Sequence, residues 1–274
     1  MDKVFKTGDW YHYRMLPEHE KVIYMHIYRG VSELRHTMEF PVRKYGGAYP
    51  TGERIVEIML HVVWDNPRFF YFDATNVAWT YTPKFGRMVF RLMFTDYFSG
   101  KGIAPVEQAL LRRAEEILRE AEGCRGEYER LVCIGRHLAR NVRYMEDAEK
   151  RNTLKDLEAR TVIGPLLNRR CVCAGYAKAF KLLCDQLGIC CFYVRGQGLG
   201  EKGWGNHGWN AVYLQGRFYH VDVTFDSLDC QRTGQYSGCY FLRSDEFMAK
   251  THRWDRQQFP AMPDDYVNTD DTGR

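Results

Sequence analysis

Residues 169–180 read RRCVCAGYAKAF, two cysteines one residue apart ahead of a helical pattern. Apolar positions then fall at Cys173, Tyr176, Ala177, Phe180, Leu183, Cys184 and Leu187, a single helix stripe that Gly188 ends. Cys173 lies in the first turn, where unpaired backbone N–H groups and the positive end of the helix dipole gather. Such a position favours the thiolate, the nucleophilic form of cysteine. Cys171 lies outside the stripe and gains less, and Gly175 allows backbone or substrate to approach closely. Taken alone, the stretch fits two packed core cysteines better than a nucleophile.

A second stretch changes that balance. Residues 207–226, HGWNAVYLQGRFYHVDVTFD, read as two β-rich runs joined by a two-residue turn at Gln215-Gly216. Leu214 then faces Arg217, Trp209 pairs with Asp222, and His207 pairs with Thr224. His207 and Asp222 become diagonal neighbours on the face that carries Trp209, with β-carbons about 5.5–8 Å apart. A loop of odd length would put them on opposite faces. Asp222 would orient the His207 ring and support its charge, leaving the other ring nitrogen for a cysteine. His220 shares this face by parity and reads as packing. His12, His19, His26, His36, His61, His137 and His252 read as isolated.

The rest of the chain must position these groups. It has 274 residues, 45% hydrophobic and 27% charged, enough for one large domain or two small ones. The net charge of +4 comes from interleaved signs, so no basic stripe suits nucleic acid. No run has the roughly 18 apolar residues of a membrane helix, and the amino terminus lacks a secretory pattern, which points to a cytoplasmic protein. The odd count of nine cysteines, including Cys171-x-Cys173 and Cys190-Cys191, supplies neither a disulfide framework nor the paired spacing of a zinc site. No metal or cofactor is expected.

Residues 1–104 read as an α+β region: helices over 16–29 and 53–66, a strand at 36–42, and aromatic, β-branched strands over 68–81 and 87–98. Nothing in it suggests chemistry. Residues 105–274 read as the catalytic domain. Two amphipathic helices fill 105–144 and break near Gly123 and Gly126, 145–168 reads as loop-rich, and the acidic tail 264–274 reads as frayed.

VCAGYAKAF, GI at 188–189, VRGQG and HGWNAVYLQGRFYHVDVTFD resemble the core of the transglutaminase-like superfamily of bacterial proteins. The likeness spans about 125–260, including YFLRSDEF and HRWD. It implies an α+β, papain-like fold in which the nucleophile heads a central helix packed on an antiparallel sheet carrying the His and Asp. Nucleophile, base and orienter fall on Cys173, His207 and Asp222. Gly208 stands where the family usually has Ala, and Phe225 where it often has Trp; both departures read as packing changes.

The implied activity is amide chemistry through an acyl-enzyme on a peptide or protein substrate. Water would make the protein a thiol peptidase or amidase, the favoured outcome. An amine acceptor would make it a transglutaminase-type acyltransferase, and a vestigial triad would leave an inactive peptide-binding module. Trp209, Tyr176 and Trp204 read as lining the cleft, and GQGLGEKGWGN (196–206) as a flexible active-site loop.

Overall fold

A computed structural model describes residues 8–82, 87–94, 102–146 and 153–268. The strand reading at 95–98, part of the loop reading at 147–152 and the end of the tail at 269–274 lie outside the described residues. Asp9–Ala109 form one compact unit, and Leu110 onward, together with Gly8, form the other.

The first unit contains α1 (Tyr11–Met15), α2 (Glu18–Ser32), β1 (Thr37–Pro41), α3 (Gly52–Asp65), β2 (Phe72–Thr82) and β3 (Arg87–Phe94), with an antiparallel sheet in the order β1-β3-β2. Ile23, Tyr24, Ile27 and Val31 of α2 pack with Ile55, Ile58, Met59 and Val62 of α3. His12, read as isolated, is not: the buried Asp65 carboxylate accepts from its backbone N–H (3.1 Å) and from that of Tyr13 (2.9 Å). The same carboxylate meets His12 Nδ1 at 2.8 Å and accepts from the Tyr24 hydroxyl at 3.0 Å. Asp65 thus satisfies the first turn of a helix only five residues long.

The second unit begins with α4 (Ile103–Ala121), which crosses the division, and α5 (Glu127–Asn141). Leu110, Ala114, Ile117 and Ala121 of α4 and Leu131, Ile134 and Leu138 of α5 are buried at helical spacing. Part of the expected loop at 145–168 is helical, with α6 at Leu154–Ala159 and a π-helical turn at Gly164–Asn168. Next come β4 (Arg143–Tyr144) and its parallel partner β5 (Arg170–Cys171), then α7 (Cys173–Leu187). α7 follows the sequence stripe from end to end. Tyr176, Phe180 and Leu183 on it are fully buried, each contributing about 1.5–3 kcal/mol through burial.

An antiparallel sheet in the order β10-β6-β7-β8-β9 completes this α+β unit. Its strands are β6 (Cys191–Gly200), β7 (Gly203–Leu214), β8 (Arg217–Val221), β9 (Phe241–Arg243) and β10 (His252–Arg253). α8 (Val223–Thr233) and α9 (Asp245–Met248) connect the later strands. The glycine-rich segment 196–206 is not a loose loop: it forms the paired ends of β6 and β7, from Gly196↔His207 to Gly200↔Gly203. The tail is tied down as far as it is described, since Asp265 Oδ1 accepts from Ser244 N (2.7 Å) and Leu242 O accepts from Tyr266 N (3.0 Å).

The β7–β8 hairpin has the expected register, with Leu214 opposite Arg217 and Asn210 opposite Val221. Gln215 and Gly216 both take positive φ (49° and 87°), as a twist-matched two-residue turn requires. This parity places His207, Trp209, Ala211 and His220 on one face.

Gly175 lets α7 start where it does. A Cβ there would lie 2.4 Å from the Ala159 carbonyl oxygen and 2.7 Å from Cys171 Cβ. Backbone cannot yield as a side-chain tip can, so Gly175→Ala is expected to cost about 1–3 kcal/mol, read as a lower urea midpoint. An unchanged midpoint would refute this packing account.

Candidate active site

Cys173 is the first residue of α7 and is 8% exposed. The Val172 carbonyl accepts from Gly175 N (2.9 Å) and Tyr176 N (3.2 Å), which closes the first turn around the cysteine. Cys171, two residues back, is locked into β5 opposite Tyr144 with no exposed surface. Burial first, and the neighbouring Cys173 second, push its thiol well above the usual range, so it stays protonated and inert. The two cysteines therefore differ in environment as well as position.

His207 and Asp222 meet, but by a different route from the expected diagonal pair. β8 stops at Val221, so neither Trp209↔Asp222 nor His207↔Thr224 is a strand pair. Asp222 instead becomes the N-cap of α8: its Oδ1 accepts from Thr224 N at 2.9 Å and Phe225 N at 3.2 Å. Capping fixes the carboxylate so that Oδ2 lies 2.7 Å from His207 Nε2. The Cys173 side chain hydrogen-bonds the same imidazole, and with Nε2 taken by Asp222 this leaves Nδ1 for the sulfur.

Burial opposes charge on His207. The Asp222 charge and hydrogen bond, followed by the bond to Cys173, outweigh it and raise the imidazole above its ordinary value. Burial likewise opposes charge on Asp222, but the facing His207 holds the carboxyl far below the usual range, assisted by His252.

The structure revises several sequence readings here. His252 is not isolated, because its Nε2 lies 2.9 Å from Asp222 Oδ2. Nor is His220 mere packing: its Nδ1 accepts from Trp209 Nε1 at 3.0 Å, while its Nε2 lies 2.9 Å from Asp245 Oδ1. His137 also has partners, in Glu120 (2.9 Å) and Arg113 (3.2 Å).

Of the three aromatics expected to line a cleft, two are buried. Tyr176 anchors α7 through hydrogen bonds to Val142 O (2.7 Å) and Ser227 (2.8 Å), and exposes no surface. Trp209, 1% exposed, stacks on the His207 ring with centroids 5.7 Å apart. Trp204 is half-exposed and carries the Arg253 guanidinium 3.9 Å above its ring.

Two contributors escaped the sequence reading. The signal for His252 was the HRWD segment, whose role only the pairing of β10 with β6 reveals. The signal for Tyr193 was Gly208, where a Cβ would lie 1.8 Å from the Tyr193 hydroxyl. One ligand atom each from His207, Asp222 and His252 lies within 4.8 Å of the others, the spacing of a metal-binding group. Here one carboxylate oxygen already bonds both imidazoles, so no orphaned nitrogen faces a vacancy for an ion.

Residues 114–223 match the family model of the transglutaminase-like superfamily, a span that includes Cys173, His207 and Asp222. The chain contains a transglutaminase-like domain. Mouse kyphoscoliosis peptidase is 28% identical over 173 residues, which cover 57% of this chain and 25% of that protein. Its human counterpart is 30% identical over 124 residues, 39% of this chain and 18% of that protein. The chain thus spans a quarter or less of the length of these relatives. Among solved structures, a TGase is 12% identical over 70% of this chain and 51% of its own, with a TM-score of 0.36. A structure from Cytophaga hutchinsonii assigned as a cysteine protease is 14% identical over 54% of this chain and 61% of its own, with a TM-score of 0.34.

One buried acid near the transglutaminase-like site is under-satisfied. Asp226, one turn beyond Asp222 on α8, accepts from Tyr240 N at 2.8 Å through Oδ1, while Oδ2 has no partner among the described residues. Burial pushes its carboxyl up to about 7. The folded state therefore holds this proton more tightly than the unfolded state, whose carboxyl titrates at about 3.9, and stability falls as pH rises across that interval. Asp226→Asn keeps the acceptor for Tyr240 and removes the charge. The variant is expected to exceed the wild type in urea midpoint at pH 8 and to lose that advantage at pH 4; a wild-type advantage at pH 8 would refute it.

Proposed function

We propose that the transglutaminase-like domain performs thiol-dependent amide chemistry, with Cys173 as nucleophile, His207 as acid and base, and Asp222 as the group orienting His207. The observation that carries this reading is the chain of contacts from the Cys173 side chain through the imidazole to Asp222 Oδ2. His207 takes the Cys173 proton as sulfur bonds to the amide carbonyl carbon. The tetrahedral oxyanion forms beside the first turn of α7, where the Cys173 N–H is the natural donor. Collapse breaks the C–N bond, and the imidazolium protonates the departing amine, leaving a thioester. Water then attacks, His207 removes its proton, and the acid leaves as the thiol is restored.

Hydrolysis of a peptide or isopeptide-type amide is preferred over transfer to an amine. The name peptidase borne by the mouse and human relatives supports that preference. A glutamine peptide supplied with a primary amine separates the outcomes: acid and ammonia without amine incorporation are expected, and incorporation would establish acyl transfer instead.

The roles themselves are tested by iodoacetamide labelling near pH 6, with the labelled residue located by mass spectrometry. Cys173 is expected to react fastest, and to slow by about 10²-fold or more in His207→Ala, the scale of losing a positioned base. Slow labelling with no dependence on His207 would favour a peptide-binding module with no catalysis.

A further inference from the structure

His252 was invisible as a functional residue in the sequence, yet it shares an oxygen with the proposed base. Asp222 Oδ2 lies 2.7 Å from His207 Nε2 and 2.9 Å from His252 Nε2. The ionised carboxylate can only accept, so each of these nitrogens carries a proton. On its far side, His252 Nδ1 lies 2.9 Å from Thr251 Oγ1, and the Thr251 hydroxyl in turn bonds the half-buried Tyr240. One continuous line of polar contacts runs from Tyr240 through Thr251, His252, Asp222 and His207 to Cys173.

We infer that His252 is a positioning residue for the proposed base: by donating Nε2–H to the oxygen that holds His207, it fixes the carboxylate and so the imidazole. This rests on the triad reading above. The physical reason is rotational. A capped aspartate with one imidazole partner could still rock about its Cβ–Cγ bond; a second donor on Oδ2, with two backbone donors on Oδ1, leaves one orientation. The His252 ring is itself held edge-on to Trp209 (4.8 Å) and against Phe225 (4.7 Å). Its strand β10 pairs with β6 so that His252 faces Gly198, where a Cβ would lie 3.0 Å from His207 Cγ. The same oxygen divides its charge between two N–H groups, which moderates its pull on His207. The titratable groups around His252 are His207, Asp222, His220 and, through Thr251, Tyr240.

A ring that merely filled an aromatic cage would look similar, and two substitutions separate the possibilities. His252→Phe keeps the ring and removes the donor, while His252→Gln sacrifices the ring and retains an N–H of similar reach. Both are compared with wild type by the pH profile of Cys173 alkylation, with urea midpoints measured in parallel. The expected result is a loss of about ten-fold or more at pH 6 for the Phe variant, the scale of a misplaced catalytic group. Its inflections should also move from their wild-type positions, because Asp222 no longer shares its charge or its orientation with a second donor, and the Gln variant should recover most of the rate. Wild-type rate and profile in the Phe variant, or a Gln variant as slow as the Phe variant, would overturn the inference. If His207→Ala itself alkylates as fast as wild type, the triad reading has failed and this inference falls with it.

Discussion

A carboxylate with no exposed surface governs the architecture of the second unit. An uncompensated buried charge costs several kcal/mol even after relaxation, so Asp222 is tolerable only where every acceptor site is used. It takes two backbone donors on one oxygen and two imidazole donors on the other. Those partners come from α8, which Asp222 itself caps, and from β7 and β10, 15 and 30 residues away. Satisfying one acid therefore fixes a helix start, a central strand and an edge strand relative to one another. The network is worth more than its separate bonds, because each member holds its neighbour in the geometry its own bond requires.

Two helix N-termini serve different purposes within this arrangement. At α8 the first-turn donors are consumed by the Asp222 carboxylate, which ends β8 and makes its charge tolerable. At α7 there is no side-chain cap, so Cys173 heads the helix without a competing acceptor from its own N-cap, Val172. One helix start stabilises the acid and the other presents the sulfur, and β7 carries the imidazole between them. Placing Cys171 one residue before the cap, in a β ladder, is enough to deny it the same environment.

Sequence periodicity carried much of this. The apolar stripe from Cys173 to Leu187 marked a helix because burial follows the 3.6-residue repeat. The Gln215-Gly216 turn was legible because only a few dipeptides accept two positive φ angles. The end of β8 was not legible: Val221, Val223 and Thr224 of VDVTFD are β-branched, and it is the capping bond of Asp222 that makes Val223 the first residue of a helix. The glycines of 196–206 suggested a loop by composition, whereas alternation in a strand leaves one face free of side chains, and Gly198 uses that room for His207. His252 was out of reach because it joins the site by strand order, β10 beside β6, a long-range choice that the HRWD segment alone does not disclose.

The exchange at position 208 shows how closely the packing near the sulfur is determined. An alanine methyl there would occupy the space of the Tyr193 hydroxyl, so in this chain Tyr193 and Gly208 are a linked choice. Tyr193 is buried, and burial first, then the nearby Cys173, disfavours its phenolate, so the group that fills this space is a neutral O–H. A hydroxyl therefore stands where a methyl would. The cost is a glycine inside a central strand, about 0.5–1 kcal/mol relative to alanine. A change that looked like packing in sequence thus goes with a hydroxyl rather than a methyl near the sulfur.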